Sequence, residues 1–147
     1  MAERRERGAC FCGAIVAQMT GEPFCVCYDH DEDCRRATGG ALVVWVGYRP
    51  EQLIITAGKL KTFSRTRGVV RTFCSDCGSS IGYADDGTPQ ESYIALGFLD
   101  HPERFRPQVH AFWRERLPWI ALMDDLPRID GYSVTRHDSW GPPRDRK

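Results

Sequence analysis

Cys10-Phe11-Cys12-Gly13 and Cys74-Ser75-Asp76-Cys77-Gly78 are the two stretches that decide the fold of this chain. Each places two thiols a few residues apart and closes with a glycine. Four thiolates are the ligand set of a closed, tetrahedral zinc site. A residue that follows a metal-bound cysteine often needs an unusual backbone angle, so that its N–H can point at the sulfur, and glycine adopts that angle without strain. The pattern predicts a structural zinc bound by Cys10, Cys12, Cys74 and Cys77, which would tie the start of the chain to its middle.

Disulfide bonds are the alternative for the same four cysteines. The chain contains seven cysteines, an odd number, so at least one would stay unpaired. Residues 1–8 are mostly charged and contain no apolar stretch that would act as an export signal. Paired cysteines at these spacings, without an export signal, favour metal ligands over disulfides. We therefore expect a reducing, cytoplasmic location.

Composition restricts the domain count and the partners. A chain of 147 residues suits one domain, which we expect over residues 1–135, followed by a weakly ordered polar tail over residues 136–147. Lys plus Arg and Asp plus Glu each number 20, so no net charge favours nucleic acid or an acidic membrane. No segment approaches the roughly 20 apolar residues of a membrane span. The composition therefore indicates neither a nucleic-acid nor a membrane partner, and it leaves the oligomeric state open.

Short apolar runs separated by turn residues dominate the chain. The longest, residues 41–48, is a near-continuous run of β-forming side chains and is typical of a central strand. Residues 53–56 and 60–63 flank Gly58, which predicts a hairpin. Further strands are expected at residues 14–19, 24–28, 69–73, 81–83, 93–98 and 109–113.

Helix signals are scarce by comparison. Residues 31–38 are expected to form one or two turns that end at Gly39-Gly40, and residues 102–105 a short turn. Many short strands with turn signals between them are typical of a mainly β domain. The sequence therefore predicts two or three small antiparallel sheets, held together by the zinc, with little helix.

Several blocks of the sequence resemble a known family. Residues 8–13 (GACFCG) and 73–79 (FCSDCGS) resemble the zinc motifs of the glutathione-dependent formaldehyde-activating enzymes, also called the CENP-V/GFA domain. Further along the chain, four stretches resemble later blocks of the family: residues 81–83, 94–100, 110–119 and 126–127. The resemblance covers about residues 7–127. It implies an Mss4-like fold, in which antiparallel sheets surround a structural zinc.

The same family implies a second, catalytic metal site. Its usual form is Cys-His-Cys, two residues, then Cys-Arg, shortly after a proline. Pro23 and Cys34-Arg35-Arg36 set the register in this chain, so that Asp29-His30-Asp31 occupies the Cys-His-Cys positions. Two of the three implied thiolates are therefore carboxylates. Carboxylate oxygen is an accepted zinc ligand, but a site with more oxygen donors is less selective for zinc and more tolerant of manganese or iron.

Three interpretations of this segment are open, and two of them include a metal. In the first, Asp29, Asp31 and Cys34 bind a catalytic metal that keeps an open position for substrate. In the second, Cys25 or Cys27 enters the site. Side chains along an extended strand alternate with period two, so these cysteines share a face with Asp29. Cys27 would then form a mixed site with Cys34 and an aspartate.

The third interpretation has no second metal. Residues 29–33 would form a solvated acidic loop that pairs with Arg35 and Arg36. Cys25 and Cys27 would then be small buried hydrophobic residues.

The resemblance also implies an activity. The family's enzymes are carbon–sulfur lyases that join the thiol of glutathione to formaldehyde, and a metal that holds the thiolate would lower its pKa for attack on the carbonyl. Cys34 would act at the catalytic metal, and His30 would orient a ligand or accept a proton. Arg35 and Arg36 would bind a carboxylate of the substrate. Nothing in the residues selects glutathione over another thiol or formaldehyde over another small aldehyde.

A different class of function is also open. A non-catalytic, zinc-stabilised binding module would keep the four-cysteine site and lose the second one. His110 lies on a predicted strand among aromatic residues and is expected to be a core or edge histidine.

Overall fold

The computed structural model describes residues 2–132. Within these residues the chain forms ten strands and one α-helix. In chain order these are β1 (Arg5–Ala9), β2 (Val16–Thr20), β3 (Cys25–Asp29), α1 (Glu32–Thr38), β4 (Val43–Tyr48), β5 (Leu53–Ala57), β6 (Lys61–Phe63), β7 (Val69–Phe73), β8 (Ser80–Asp85), β9 (Ser92–Ala95) and β10 (Val109–Ala111). Short 3-10 turns lie at Pro50–Gln52, Leu96–Phe98, Pro102–Arg104 and Trp113–Glu115. The mainly β class with little helix is confirmed.

The strands form two sheets. The smaller has the order β1-β2-β5, and the larger has the order β10-β3-β4-β9-β8-β7-β6. Neighbouring strands are antiparallel except for β10 and β3, which are parallel. A parallel pair needs a long connection, and here about 80 residues separate the two strands along the chain. The sequence signals, which are local, did not predict this pair.

The hairpin predicted around Gly58 is wrong. Strand β5 pairs with β2 in the small sheet, whereas β6 pairs with β7 in the large one, so the chain changes sheets at this glycine. Gly58 has a φ of 76° and lies so close to Ala14 that a Cβ would come within 2.3 Å of the Ala14 carbonyl oxygen. Glycine is needed there for a close crossing of two segments and not for a hairpin turn.

Strand β1 lies in the charged segment, where no strand was predicted. Its side chains alternate between exposed Arg5 and Arg7 and the buried positions of Glu6 and Gly8. Glu6 is buried, and one of its carboxylate oxygens accepts the backbone N–H of His101 at 3.0 Å. The alternation of a strand is therefore present in this segment, but one of its inward side chains is charged, which hides the apolar pattern.

The large sheet separates two clusters of buried side chains. Alternate residues of its strands point to opposite faces. One face packs with β2 of the small sheet and contributes Val26, Val46, Tyr48, Ile81 and Ile94 to the main core. The opposite face carries a smaller group of buried apolar side chains, to which helix α1 contributes Cys34. The sheet therefore leaves one face free to form a site beneath α1.

None of the helices within residues 2–132 has the length and apolar character that crossing a membrane requires. The predicted tail, residues 136–147, lies outside the described residues. The single domain over residues 1–135 stays a prediction.

Candidate metal centres and cavity

The four predicted zinc ligands lie together in the structure. The Sγ atoms of Cys10, Cys12, Cys74 and Cys77 are all within 4.8 Å of one another. The sulfur of Cys12 is 3.6 Å from that of Cys10 and 3.8 Å from that of Cys74. Four sulfurs at the usual zinc–sulfur distance are roughly 3.8 Å apart at the corners of a tetrahedron. All seven cysteines, which lie within the described residues, are free thiols. The spacing therefore fits a zinc ion and not a pair of disulfides.

The glycines that close the two motifs adopt the left-handed backbone conformation. Gly13 has a φ of 81° and Gly78 a φ of 76°. Their N–H groups donate to the carbonyl oxygens of Cys10 and Cys74, at 2.9 and 2.8 Å, and not to a sulfur as predicted. The N–H of Ile15 donates to the Cys10 sulfur instead, at 3.2 Å. The glycines thus close the tight turns that direct both thiols of each motif to the same side.

Ser79 links the two motifs. Its hydroxyl accepts the N–H of Phe11 at 3.0 Å and lies 3.1 Å from the sulfur of Cys77. Hydrogen bonds from the hydroxyl and backbone of Ser79, and from Cys12, lower the pKa of Cys77 to about 6. Because the thiolate is the form that binds metal, this environment prepares Cys77 as a ligand at neutral pH.

A second group of possible metal ligands lies where β3 ends and α1 begins. One ligand atom each from Asp29, Asp31 and Cys34 lies within 4.8 Å of the others, and all three residues are buried. Asp29 ends β3, Asp31 is the N-cap of α1, and Cys34 is in the first turn of the helix. The side chain of Asp31 accepts the Cys34 N–H at 3.0 Å, as an N-cap residue does.

The carboxylate of Asp29 has two contacts in this cluster. One oxygen accepts the Asp31 N–H at 2.9 Å, and the other accepts the thiol of Cys34 at 3.3 Å. Asp29 is 8% exposed and Asp31 is 1% exposed, so the segment is not the solvated loop of the third interpretation. The exposed carboxylate beside it, Glu32, pairs with Arg36 at 3.0 Å.

The thiol of Cys34 is held in its protonated form. Burial, together with the negative charge of Asp29, raises its pKa to about 12, while Arg71 and Trp45 act in the opposite direction. Two guanidinium nitrogens of Arg71 lie 3.6 and 3.7 Å from the sulfur. A divalent cation at this cluster would favour the thiolate, so metal binding would release a proton.

A cavity of about 260 Å³ opens beside this cluster. Asp29, Asp31 and Cys34 line it together with Cys27. Six aromatic side chains, each from a different strand or loop, form much of the remaining wall: Trp45, Phe63, Tyr83, Tyr93, Phe112 and Tyr132. The volume is close to that of the smaller ligand sites in proteins, and the buried polar groups converge on one side. The second cluster is therefore accessible to a small molecule, unlike a closed four-ligand site.

The other predicted site residues divide between the cavity and its surroundings. Cys27 and Arg36 line the cavity, whereas Cys25 packs in the buried cluster on the same sheet face. The guanidinium of Arg35 donates to the backbone oxygens of His30 and of Glu115, the latter at 2.6 Å. Arg35 therefore joins α1 to a later part of the chain and has little freedom to bind a substrate.

His30 lies outside the cavity lining, in a buried chain of polar groups on the other side of β3. Its Nε2 is 2.9 Å from Nδ1 of His110, and Nε2 of His110 is 3.0 Å from a carboxylate oxygen of Asp124. Burial, followed by the positive fields of His110 and Arg116, lowers the pKa of His30 to about 4. The structure does not bring His30 to the cavity, because its neighbours Asp29 and Asp31 occupy the alternate positions that face it.

Sequence reasoning missed Asp124 and Arg71. Asp124 lies in an irregular segment and is brought to His110 only by the tertiary fold. Arg71 precedes the second cysteine motif on β7, and its place opposite Tyr83 on β8 depends on strand register. The alternation along β7, which puts Val69 and Arg71 on one face, was the one available signal.

The fold and its two clusters of thiols and carboxylates define a mainly β protein with two candidate metal centres. A sequence profile of the glutathione-dependent formaldehyde-activating enzymes matches residues 5–115. The chain belongs to this family.

A crystal structure of a Rhodobacter sphaeroides protein, a structural-genomics target, has a TM-score of 0.52 and 21% sequence identity to this chain. The match covers 64% of this chain and 87% of that one, and it shows a shared fold. No curated protein gives a significant match to the chain.

Proposed function

We propose that this protein is a carbon–sulfur lyase that joins a small thiol, glutathione or a similar one, to formaldehyde or another small aldehyde. Membership of the family supports this pair of substrates. The observation that carries the proposal is the cavity beside the buried cluster of Asp29, Asp31 and Cys34. The free thiols are in keeping with a reducing, cytoplasmic location.

The two clusters suit different tasks. The four thiols of the first cluster complete a tetrahedral shell, so we assign to it a structural zinc. The second cluster offers two carboxylates and one thiol and leaves the cavity side open. A divalent metal bound there would supply a positive charge that lowers the pKa of a bound thiol and holds its sulfur. The mixed oxygen and sulfur donors fit zinc and also tolerate manganese or iron.

The protein's own residues would prepare the reactants. Asp29 already accepts the Cys34 thiol, so it would hold this side chain in position until the thiol gives its proton to solvent and binds a metal. The aromatic walls would give the reactants a largely apolar surface beside the cluster. In the reaction itself, the sulfur forms a bond to the carbonyl carbon, the carbonyl π electrons move to oxygen, and that oxygen takes up the proton given by the substrate thiol.

The first test is the metal content per chain, measured by elemental analysis on protein purified without chelators. Two metals per chain would support the proposal, and one would count against it.

The second test is the rate of hemithioacetal formation from ¹³C-formaldehyde and glutathione, followed by NMR exchange. We expect a saturable acceleration over the spontaneous reaction, its loss in Cys34→Ala, and its retention in Cys25→Ala, in which a buried cysteine outside both clusters is changed.

A specific observation also favours the binding module. Asp29 and Asp31 both accept backbone N–H groups, so they would stabilise the start of α1 even without a metal. A single zinc per chain, with no acceleration of the thiol–aldehyde reaction, would establish this function in place of the lyase.

A further inference from the structure

Three arginines line the cavity, and two of them are neutralised by neighbouring carboxylates. Arg36 pairs with Glu32 at 3.0 Å, and Arg65 pairs with Asp33 at 3.2 Å. Arg71 differs from both. Among the described residues, no carboxylate oxygen lies within 4.0 Å of its guanidinium; the group contacts the sulfur of Cys34 and the ring of Tyr83.

The position of Arg71 is fixed by the sheet. Arg71 on β7 is the register partner of Tyr83 on β8, and its guanidinium lies 5.0 Å from the centre of the tyrosine ring. Arginine stacked on an aromatic ring keeps its N–H groups directed outward in the plane of the fork. This plane is held at the edge of the cavity, next to the sulfur of Cys34.

A second N–H donor lies in the same wall. Trp45 is 3% exposed and lines the cavity. Among the described residues its indole Nε1 has no oxygen or nitrogen acceptor, and its one interaction is a weak one with the sulfur of Cys34. A buried N–H whose acceptor is a weak one, such as a thiol sulfur, is poorly satisfied, so a ligand oxygen that accepts from it would be stabilised. Arg71 and Trp45 together offer N–H donors to an anionic group beside Cys34.

We propose that Arg71 binds a carboxylate of the substrate and so restricts the cavity to carboxylate-bearing reactants. This inference rests on the proposed function. The nearby aspartates would not repel the ligand strongly, because each already accepts a backbone N–H: Asp29 accepts that of Asp31, and Asp31 accepts that of Cys34. The charge of a divalent ion would offset most of what remains.

The carboxylate has two possible sources with the same chemistry. It belongs either to the thiol, as in glutathione, or to the aldehyde, as in a 2-oxo acid such as glyoxylate. Because Arg71 contacts the sulfur of Cys34, an aldehyde whose carboxylate adjoins its carbonyl carbon would also place that carbon close to the cluster.

The test measures affinity and not turnover. For the thiol, zinc-loaded protein is titrated with glutathione and with glutathione diethyl ester, and binding is measured by calorimetry. For the aldehyde, binding of glyoxylate and of glycolaldehyde, which lacks the carboxylate, is measured by ligand-observed NMR. Wild-type protein is expected to prefer the carboxylate form in at least one pair by about 10- to 100-fold, the range of a hydrogen-bonded charge pair. The pair that shows the preference identifies the source.

Variants assign the preference to Arg71. Arg71→Met is expected to abolish it, and Arg71→Lys, which keeps the charge but loses the paired donors, to retain an intermediate part. Arg65→Met is the matched control, since Arg65 lines the same cavity but is paired, and it should keep the preference. Should Arg71→Met fail to fold, Arg71→Lys carries the comparison. The metal content of each variant is measured alongside.

Two results would overturn the inference: no carboxylate preference in wild-type protein, or an equal preference in wild-type protein and both Arg71 variants. Failure of the proposed lyase reaction would look different. Wild-type protein would then bind the carboxylate through Arg71 without accelerating the thiol–aldehyde addition, which refutes the reaction and supports the role of Arg71.

Discussion

The two candidate metal centres differ in how the chain builds them. The four-cysteine cluster joins residues 10–12 to residues 74–77, so the tertiary fold must bring its halves together. The cluster of Asp29, Asp31 and Cys34 comes from six consecutive residues at the start of one short helix. A ligand set that spans the chain stabilises the fold, whereas a local set at the edge of a cavity leaves space for a reactant.

The thiols of the two centres differ as much as their geometry. Hydrogen bonds from Ser79 lower the pKa of Cys77 to about 6, and burial beside Asp29 raises that of Cys34 to about 12. The first environment favours a thiolate before any metal arrives. The second keeps a neutral thiol that metal binding must ionise, so occupancy of the second site should depend more strongly on pH.

The largest expected effect is the loss of stability when a cysteine of the four-thiol cluster is changed, compared with a cysteine buried elsewhere in the core. Cys74→Ala should leave the protein unfolded at 25 °C, because a structural zinc contributes on the order of 10 kcal/mol, comparable to the whole stability of a domain. Circular dichroism and zinc content measure this. Cys25→Ala, also a buried cysteine, is the control and should cost about 1 kcal/mol with zinc retained. Equal stability of the two variants would mean that the four thiols do not bind a structural metal.

A charge change tests the second centre without disturbing its helix. Asparagine caps a helix about as well as aspartate, so Asp31→Asn should keep the bond to the Cys34 N–H while it weakens metal binding at least about tenfold. Metal titration and a thermal melt measure the two effects. Asp33→Asn, next to the cluster but paired with Arg65, should bind metal normally. Unchanged affinity in Asp31→Asn would exclude Asp31 as a ligand.

His30, which lies next to the second centre on the other side of β3, should make the stability of the protein depend on pH. The folded-state pKa of His30, about 4, lies below the unfolded value of 6.5. The contribution of His30 to the free energy of unfolding is therefore complete above about pH 6.5 and is lost as the pH falls toward 4. The loss is at most on the order of 3 kcal/mol. Urea unfolding at pH 7 and pH 4.5 should show a smaller decrease for His30→Gln than for wild type. His101→Gln, a change at an exposed histidine, should behave as wild type, and an identical decrease in all three proteins would contradict the assignment.

The smallest effect concerns the turn of the second cysteine motif. Gly78→Ala should cost about 1 kcal/mol and lower the melting temperature by a few degrees, with zinc retained, because its φ is positive. Gly97→Ala is a matched control: a Cβ has open space at both glycines, but only Gly78 has a positive φ. Equal melting temperatures would show that the turn relaxes without strain.

Much of the fold was predictable because strands and turns leave local signals. The central strand, the strand that leads into the second cysteine motif and the helix that ends at Gly39 all lie where the sequence placed them. The hairpin at Gly58 was wrong because both flanking strands are real but pair with different partners. Strand β1 was missed because an inward glutamate breaks its apolar alternation.

The sequence predicted the possible metal ligands of the candidate site but not the other residues that line its cavity. Register with the family motif pointed to Asp29, Asp31 and Cys34, and they lie together because a strand end, an N-cap and the first helical turn bring positions 29, 31 and 34 close in space. Local patterns did not predict that Arg71 and Trp45 meet in the cavity wall or that Asp124 contacts His110. The first depends on strand pairing, and the second on an irregular segment that the tertiary fold brings to His110.

The sequence by itself determined which groups can bind metal, because spacing within a motif places side chains that a single turn holds close. It also determined the mainly β class, through alternation and turn residues. Only the tertiary structure decided which face of the sheet became a core and which became a cavity, and where His30 points. It also decided which of the cavity arginines has no carboxylate partner among the described residues. These properties arise from strand pairing between distant segments, and local patterns carry no information about which strands pair.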